Sequence, residues 1–183
     1  AAEKRGTYPQ GGNKMKKTFA FILVLAMVLA LCAFGADKGE KMQKTVYFYA
    51  TCLGSAVMQE MVLNGIKLLR KEGVEVIFKK NQTCCAQPSF NSGYFNESKA
   101  VALYNTEFFD EDYPIIVPSG SCAGMMSHDY LELFKDDKNY DKVAKFSSRV
   151  IELSQYLDKT LNVSYEDRGE PIKITWHSNC HAL

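Results

Sequence analysis

Apolar and polar positions alternate in short blocks from about residue 45 onward. Four apolar runs rich in β-branched and aromatic residues have the length of buried strands, at residues 46–50, 74–78, 115–117 and 172–176. Apolar residues spaced three or four apart predict helices at residues 55–72, 98–109, 141–157 and from a loop at 118–121 toward residue 134. This alternation predicts an α/β domain with a largely parallel sheet flanked by helices.

A cysteine follows every predicted strand. In chain order these are Cys52, the adjacent pair Cys84 and Cys85 in a polar loop at residues 81–93, Cys122, and Cys180. The carboxyl ends of parallel strands share one edge of a sheet, and ligands bind in the crevice there. We therefore expect these cysteines, on loops, to converge on one rim of the sheet.

Converging thiols can serve different purposes. Disulfides suit an exported protein, but the adjacent Cys84 and Cys85 are awkward to bridge to two different partners without strain. Structural zinc sites and thioredoxin-type sites use C-x-x-C spacings, which the chain lacks. Iron–sulfur clusters are held by soft thiolates, and buried inert thiols account for one or two positions. Residue spacing alone leaves a cluster, disulfides and inert thiols open.

The first 41 residues differ from the rest. Residues 1–14 are polar and aperiodic, and we interpret them as a disordered upstream extension. Residues 15–41 resemble a secretory signal peptide, with a basic start, an apolar run at residues 19–34 and small residues at a cleavage position. That run approaches the ~20 residues of a membrane span, so a retained membrane anchor is an alternative. Met42 is a candidate start that would leave both segments outside the functional protein.

Composition narrows the class of protein. The chain has 183 residues, is 46% hydrophobic and carries a formal net charge of +1. The apolar share is large enough to form a core, and the near-zero charge does not favour nucleic acid as a partner. Neither a P-loop nor a G-x-G-x-x-G motif occurs, so a nucleotide cofactor has no support in the sequence.

Several sequence segments resemble one known family. They are TCLGSAVMQEM at residues 51–61, NQTCCAQPSFNSGY at 81–94, PSGSCAGMMSHDYLELF at 118–134, VIELSQYL at 150–157 and ITWHSNCHAL at 174–183. In this order they resemble the cysteine-rich CCG family, which includes the cysteine-rich component of heterodisulfide reductase, the glycolate oxidase iron–sulfur subunit and the lactate-utilization proteins. The resemblance covers about residues 44–183 and is strongest to the lactate-utilization branch.

The resemblance implies a function and a set of site residues. It implies a cytoplasmic, non-catalytic redox subunit that carries electrons while L-lactate is oxidised to pyruvate, together with other subunits that include another iron–sulfur protein. Cys52, Cys84, Cys85 and Cys122 would hold a [4Fe–4S]-type cluster in a first domain at residues 42–168. Residues 169–183 would open a truncated second repeat, in which Cys180 is a further metal ligand. The competing hypothesis is an exported or membrane-tethered α/β binding module with structural disulfides.

Two positions depart from the family's pattern. Ala86 follows the cysteine pair where the family has glycine, a change between small residues that we expect to cost little. Met125 stands where the closing C-x-x-C has its second cysteine, which leaves four thiolates in this half of the family's pattern. A thioether is a poor iron ligand beside thiolate, so this chain is not expected to form a five-thiolate cluster.

Overall fold

A four-stranded parallel sheet organises the described part of the chain. The computed structural model describes residues 44–166 and 168–175. Its strands are β1 (Lys44–Phe48), β2 (Val74–Ile77), β3 (Ile115–Val117) and β4 (Val150–Glu152). They lie in the order β2-β1-β3-β4, and every neighbouring pair is parallel. The α/β fold with a parallel sheet, expected from the alternation of apolar runs and amphipathic segments, is confirmed.

Helices follow each strand. They are α1 (Cys52–Ala56), α2 (Gln59–Lys71), α3 (Gln87–Asn91), α4 (Phe95–Phe108), α5 (Gly120–Gly124), α6 (Tyr130–Leu133), α7 (Tyr140–Ser147) and α8 (Leu153–Gln155). Two π-helical turns, Met125–Asp129 and Tyr156–Thr160, follow α5 and α8 directly. The predicted helix at residues 55–72 is therefore two helices, and the predicted loop at residues 81–93 contains the short α3.

The two faces of the sheet carry separate apolar clusters. Along β1, Val46 and Phe48 point into one cluster, which is covered by α2, while Tyr47 and the following Tyr49 point into the other. This alternation follows from the two-residue period of a strand. The Tyr47 cluster is rich in aromatic side chains and is closed by residues of α4, α6 and α7. A strand buried on both faces is expected to be apolar, as the buried part of β1, Val46 to Phe48, is.

The strand order places a crevice next to β1 and β3. The chain leaves β1 toward β2 on one side and leaves β3 toward β4 on the other. Segments that follow β1 and β3 therefore diverge, and ligands of open α/β sheets bind at such a point. Cys52 and Cys122 lie in these two diverging segments.

The fourth strand lies at a different place from the one predicted. The predicted strand at residues 172–176 is wrong over its described part, because residues 172–175 have no regular structure and Ile172 and Ile174 are exposed. The predicted helix at residues 141–157 ends at Ser147, and Val150–Glu152 pairs with β3 instead. A β-rich run forms a strand only where a neighbour offers hydrogen bonds, and the edge beside β3 is already occupied by β4.

The predictions for the N-terminal segments lie outside the described residues. The proposed extension at 1–14 and the signal-like segment at 15–41 are therefore not described, and the domain limits drawn at residues 42, 168 and 169 stay predictions. In residues 44–166 and 168–175, no helix is long and apolar enough to cross a membrane.

Candidate cysteine site

Four cysteines from three strand ends meet at the carboxyl edge of the sheet. The Cys52 Sγ lies 3.6 Å from the Cys84 Sγ, and the Cys85 Sγ lies 3.4 Å from the Cys122 Sγ. All four thiols are free. Cys84 and Cys85 lie in an irregular segment after β2, whereas Cys52 begins α1 and Cys122 lies within α5. These two positions therefore belong to short helices and not to the loops expected from the sequence.

The four thiols line one cavity. Its volume is about 470 Å³. The apolar residues that share its wall are Leu53, Met58, Met61, Pro88 and Pro118. Thr51, Gln87, Ser119 and Ser121 supply the polar part of the wall. Cys52, Leu53 and Met58 are exposed, so the cavity is open to solvent on that side.

An unusual backbone conformation holds Cys52 in place. The preceding Thr51 has φ 62° and ψ 155°, a region that L-residues rarely occupy. Its hydroxyl accepts a hydrogen bond of 2.9 Å from the Gly54 backbone N–H and so caps α1. A Cβ on Gly54 would lie 2.8 Å from the Val62 Cγ2 and 2.9 Å from the Thr51 Oγ1. The first turn of α1 therefore has room only for glycine at this position.

Side chains from β1 and the adjoining segment fix the start of the cysteine loop. The Tyr49 hydroxyl donates to the Thr83 carbonyl at 2.6 Å. The Gln82 side chain accepts from the Ala50 N–H at 2.7 Å and donates to the Phe48 carbonyl at 2.8 Å. These side-chain hydrogen bonds hold the loop beside the end of β1, where a neighbouring strand would pair through its backbone.

Two buried polar side chains hold the cysteine pair itself. The Asn105 amide donates to the Cys84 carbonyl at 2.9 Å and to the Tyr130 hydroxyl at 3.1 Å. The Tyr130 hydroxyl donates in turn to the Cys85 carbonyl at 3.0 Å. Burial raises the pKa of Tyr130, so its hydroxyl keeps its proton and remains a donor. Neither residue was predicted from the sequence, although an asparagine on a helix face that packs into the core is a recognisable signal.

Ala86 shows why the family's motif has glycine after the cysteine pair. Its backbone is left-handed, with φ 70° and ψ 4°, and its side chain is buried. Glycine adopts this conformation without steric cost. The Ala86 carbonyl accepts from the Ser89 hydroxyl at 2.8 Å and from the Phe90 N–H at 2.9 Å, which carries the turn into α3.

Thiol acidity differs across the site. The hydrogen bond from Cys85, helped by one from Ser119, lowers the pKa of Cys122 to about 7 against the cost of burial. The same contact with Cys122, together with burial, raises the pKa of Cys85. Burial and the contact with Cys84 raise the pKa of Cys52. With a pKa of about 7, Cys122 is partly ionised near neutral pH, and it accepts a hydrogen bond from the Cys85 thiol.

The donor set fits a group larger than a single ion. In the part of the chain that the structure describes, no three His, Cys, Asp or Glu side chains are placed to hold one metal ion. Four thiols around a cavity of about 470 Å³ suit an iron–sulfur cluster, whose irons take cysteine ligands. Met125 is fully buried in the Tyr47 cluster and is not a cavity residue. Cys180 lies outside the described residues, so its predicted role as a ligand stays a prediction.

Comparison with known proteins agrees with this site. The family model of the cysteine-rich CCG domain matches residues 46–127, a range that contains all four cavity cysteines. Lactate utilization protein A of Shouchella clausii is 40% identical over 140 residues, which are 74% of this chain and 57% of that protein. The same-named protein of Halalkalibacterium halodurans is 36% identical over 137 residues, 74% of this chain and 56% of that protein.

These matches also set the extent of the similarity. The chain spans a little over half the length of the curated relatives it matches. No solved structure matches the chain at a significant level. The family model and the curated relatives coincide on the segment that carries the thiols: residues 46–127 match the cysteine-rich CCG domain, and the chain is similar to the lactate utilization proteins A.

Proposed function

We propose that the chain is an iron–sulfur electron-transfer subunit that acts in L-lactate utilization. Cys52, Cys84, Cys85 and Cys122 are the proposed ligands of a cluster of the [4Fe–4S] type. The observation that carries the proposal is the meeting of four free thiols, from three separate strand ends, in one cavity. An iron–sulfur cluster accepts and releases single electrons when bound. The subunit itself relays electrons and does not transform lactate.

The protein's own residues supply the conditions for such a ligand set. Cys122 has a pKa lowered to about 7, so a substantial fraction of this thiol is ionised near neutral pH before any ligand binds. Leu53, Met58 and Met61 supply apolar parts of the same cavity wall. The polarity and solvent exposure of such a wall influence the reduction potential of a bound cluster.

The role in lactate oxidation is proposed from the named relatives. Lactate utilization is what the curated relatives' names state. We propose that this chain contributes to oxidation of L-lactate to pyruvate in the cytoplasm, together with other subunits that include a second iron–sulfur protein. Cys180, in the segment at 174–183 that resembles the start of another repeat, is proposed as a ligand of a second site.

Iron analysis tests the cluster directly. Protein from residue 42 to 183, purified without oxygen and reconstituted with iron and sulfide, is expected to hold about four irons and four sulfides per chain and to absorb broadly in the visible range. Cys85→Ser should lose most of this iron, because serine replaces a soft thiolate. Cys85→Ser is also compared with Cys32→Ser, both made in the complete chain, and Cys32→Ser, which alters none of the proposed ligands, should retain iron. Equal iron in both variants would contradict the ligand assignment.

The Sγ separations also favour a second candidate, an exported or membrane-tethered binding module. Two thiol pairs at 3.6 Å and 3.4 Å are close enough to oxidise to disulfides after a small movement. This candidate predicts cleavage or membrane retention of the segment at 15–36 and a mature protein that has lost two hydrogens per bridge. Intact mass of the protein isolated from its native cell separates the two functions, since cluster ligands stay reduced.

A further inference from the structure

We propose that Asn105 and Tyr130 are positioning residues for the cysteine pair, acting through the backbone carbonyls of Cys84 and Cys85. They set the directions of the two thiols, so that Cys84 faces Cys52 and Cys85 faces Cys122. The purpose of this arrangement rests on the proposed function, because a cluster needs the adjacent Cys84 and Cys85 thiols held apart from each other. The geometry itself can be tested in protein that holds no cluster.

The hold on the cysteine pair acts through its peptide planes. Each residue's backbone conformation is fixed when the planes on both of its sides are fixed, since only φ and ψ rotate between them. Cys84 lies between the planes that carry the Thr83 and Cys84 carbonyls, and both carbonyls accept a side-chain hydrogen bond. Cys85 lies between the Cys84 and Cys85 carbonyls, and the Cys85 carbonyl also accepts one.

The side chains that donate to these carbonyls are themselves fixed by burial in the core. Tyr49, Asn105 and Tyr130 are each 0% exposed. They come from the end of β1, from α4 and from α6, so three elements of the fold meet behind the loop. The Tyr130 ring stacks on Phe146 with ring centroids 6.0 Å apart. A rotation of the Cys84–Cys85 peptide would break hydrogen bonds inside a packed core, where no water replaces them.

The polar atoms of Asn105 support a specific role. Its Oδ1 is buried and accepts no hydrogen bond from the described residues, while its Nδ2 donates to both Cys84 and Tyr130. A buried acceptor without a donor destabilises the folded state. An apolar residue would avoid that cost at this position, so the two donated bonds are the property that asparagine supplies.

The clamp, defined as Asn105 and Tyr130 with their bonds to the two cysteine carbonyls, has a chemical consequence. Cys84 and Cys85 are neighbours in sequence, and a bond between them requires their shared peptide to turn. Asn105 holds the carbonyl of that shared peptide. The thiols are instead directed to separate partners at 3.6 Å and 3.4 Å. Loss of the clamp should therefore favour a Cys84–Cys85 crosslink.

The test oxidises cluster-free protein with oxidised glutathione and maps the crosslinks. In each exchange a protein thiolate attacks the glutathione disulfide and releases one reduced glutathione. A second protein thiol then loses its proton and displaces another, so each crosslink consumes one oxidised and yields two reduced glutathiones. In the unaltered chain the peptides of Cys52, Cys84-Cys85 and Cys122 should be joined together. A Cys84–Cys85 bond instead leaves that peptide closed on itself, and mass spectrometry separates the two patterns.

The decisive variants are Tyr130→Phe and Asn105→Leu. Tyr130→Phe removes only the hydroxyl and keeps the ring stack on Phe146. Each variant should raise the share of the Cys84–Cys85 crosslink about fivefold, the factor that one net hydrogen bond contributes to an equilibrium. Tyr156→Phe is the matched control, because Tyr156 is a buried tyrosine in the Phe48 cluster on the opposite face of the sheet. Where Asn105→Leu does not fold, Tyr130→Phe alone decides.

A second readout uses the loaded protein. The electron paramagnetic resonance signal of the reduced cluster should shift in Tyr130→Phe and stay unchanged in Tyr156→Phe, which a general loss of stability would not produce. A crosslink pattern in Tyr130→Phe identical to that of the control would overturn the proposal. Protein that binds no iron but shows the predicted pattern would refute the proposed function and leave the clamp standing, so the two failures are distinguishable.

Discussion

Replacement of Gly54 by alanine tests whether close packing around Thr51 positions Cys52. The added Cβ would meet the Val62 Cγ2 at 2.8 Å and the Thr51 Oγ1 at 2.9 Å. Relief requires α2 to shift or the Thr51 cap to break. Overpacking of this kind costs about 1–3 kcal/mol, loss of a threonine cap about 1 kcal/mol, and the gain from replacing a helical glycine is about 1 kcal/mol. The variant should therefore lose about 1–3 kcal/mol in free energy of unfolding.

A second glycine separates this steric effect from backbone strain. Gly73 has φ 78°, and a Cβ there would meet nothing within 4 Å. Gly73→Ala should cost about 1 kcal/mol through its left-handed backbone alone and should leave the cysteine site unchanged. Urea unfolding measures both free energies, and iron content reports on Cys52. Gly54→Ala with wild-type stability and wild-type iron content would refute the packing argument.

Two further predictions concern Ala86 and Asp110. For Ala86→Gly, relief of left-handed strain of about 1–2 kcal/mol is offset by a lost buried methyl of about 0.8 kcal/mol and added unfolded-state entropy of about 0.4–1 kcal/mol. Urea unfolding should therefore place Ala86→Gly within about 1 kcal/mol of wild type. Ala86→Val puts a β-branched residue at a positive φ and should unfold far more easily. Equal stabilities of Ala86→Val and wild type would contradict this reasoning. The hydrogen bond from Lys79 lowers the pKa of the Asp110 carboxyl. The contribution of this ion pair to stability is full above the ordinary aspartate pKa and is lost as the pH falls through the lowered pKa. Asp110→Asn should therefore reduce the loss of stability in acid. An unchanged acid profile in urea titrations would argue against this ion pair.

Most strands and the α/β class of the fold could be predicted from the sequence, because they depend on local patterns of apolar residues. Three of the four strands are apolar runs that can be recognised in isolation. Val150–Glu152 is different, since Val150 continues the apolar stripe of Val143 and Phe146 in α7, and the segment becomes a strand only because β3 pairs with it. Conversely, residues 172–175 have β-rich composition without a partner strand in the described chain. Pairing is a tertiary event, and composition does not encode it.

The site could be predicted in part for a similar reason. Thiols that follow parallel strands must meet at one edge, so the convergence of Cys52, Cys84, Cys85 and Cys122 follows from topology. Adjacent cysteines are awkward to direct to two different partners, yet the held peptide turns Cys84 and Cys85 to different sides. That hold comes from Asn105 and Tyr130, which are 21 and 45 residues away from the carbonyls they contact. Asn105 stands out as an asparagine on a core-facing helix, but no local pattern shows which carbonyls these two side chains contact.

The strand order also determines when the cysteine site can exist during synthesis. β1 pairs with both β2 and β3, and Tyr47 is matched to Ile115 across about seventy intervening residues. Cys52 therefore leaves the ribosome long before Cys122 and Tyr130, and it waits without its partners while the chain between them is made. Iron delivered early would meet a single exposed thiol, whereas iron delivered after α6 has docked would meet a finished cavity. Under the proposed function, folding would therefore have to precede cluster loading, because the cavity is complete only once α6 has docked.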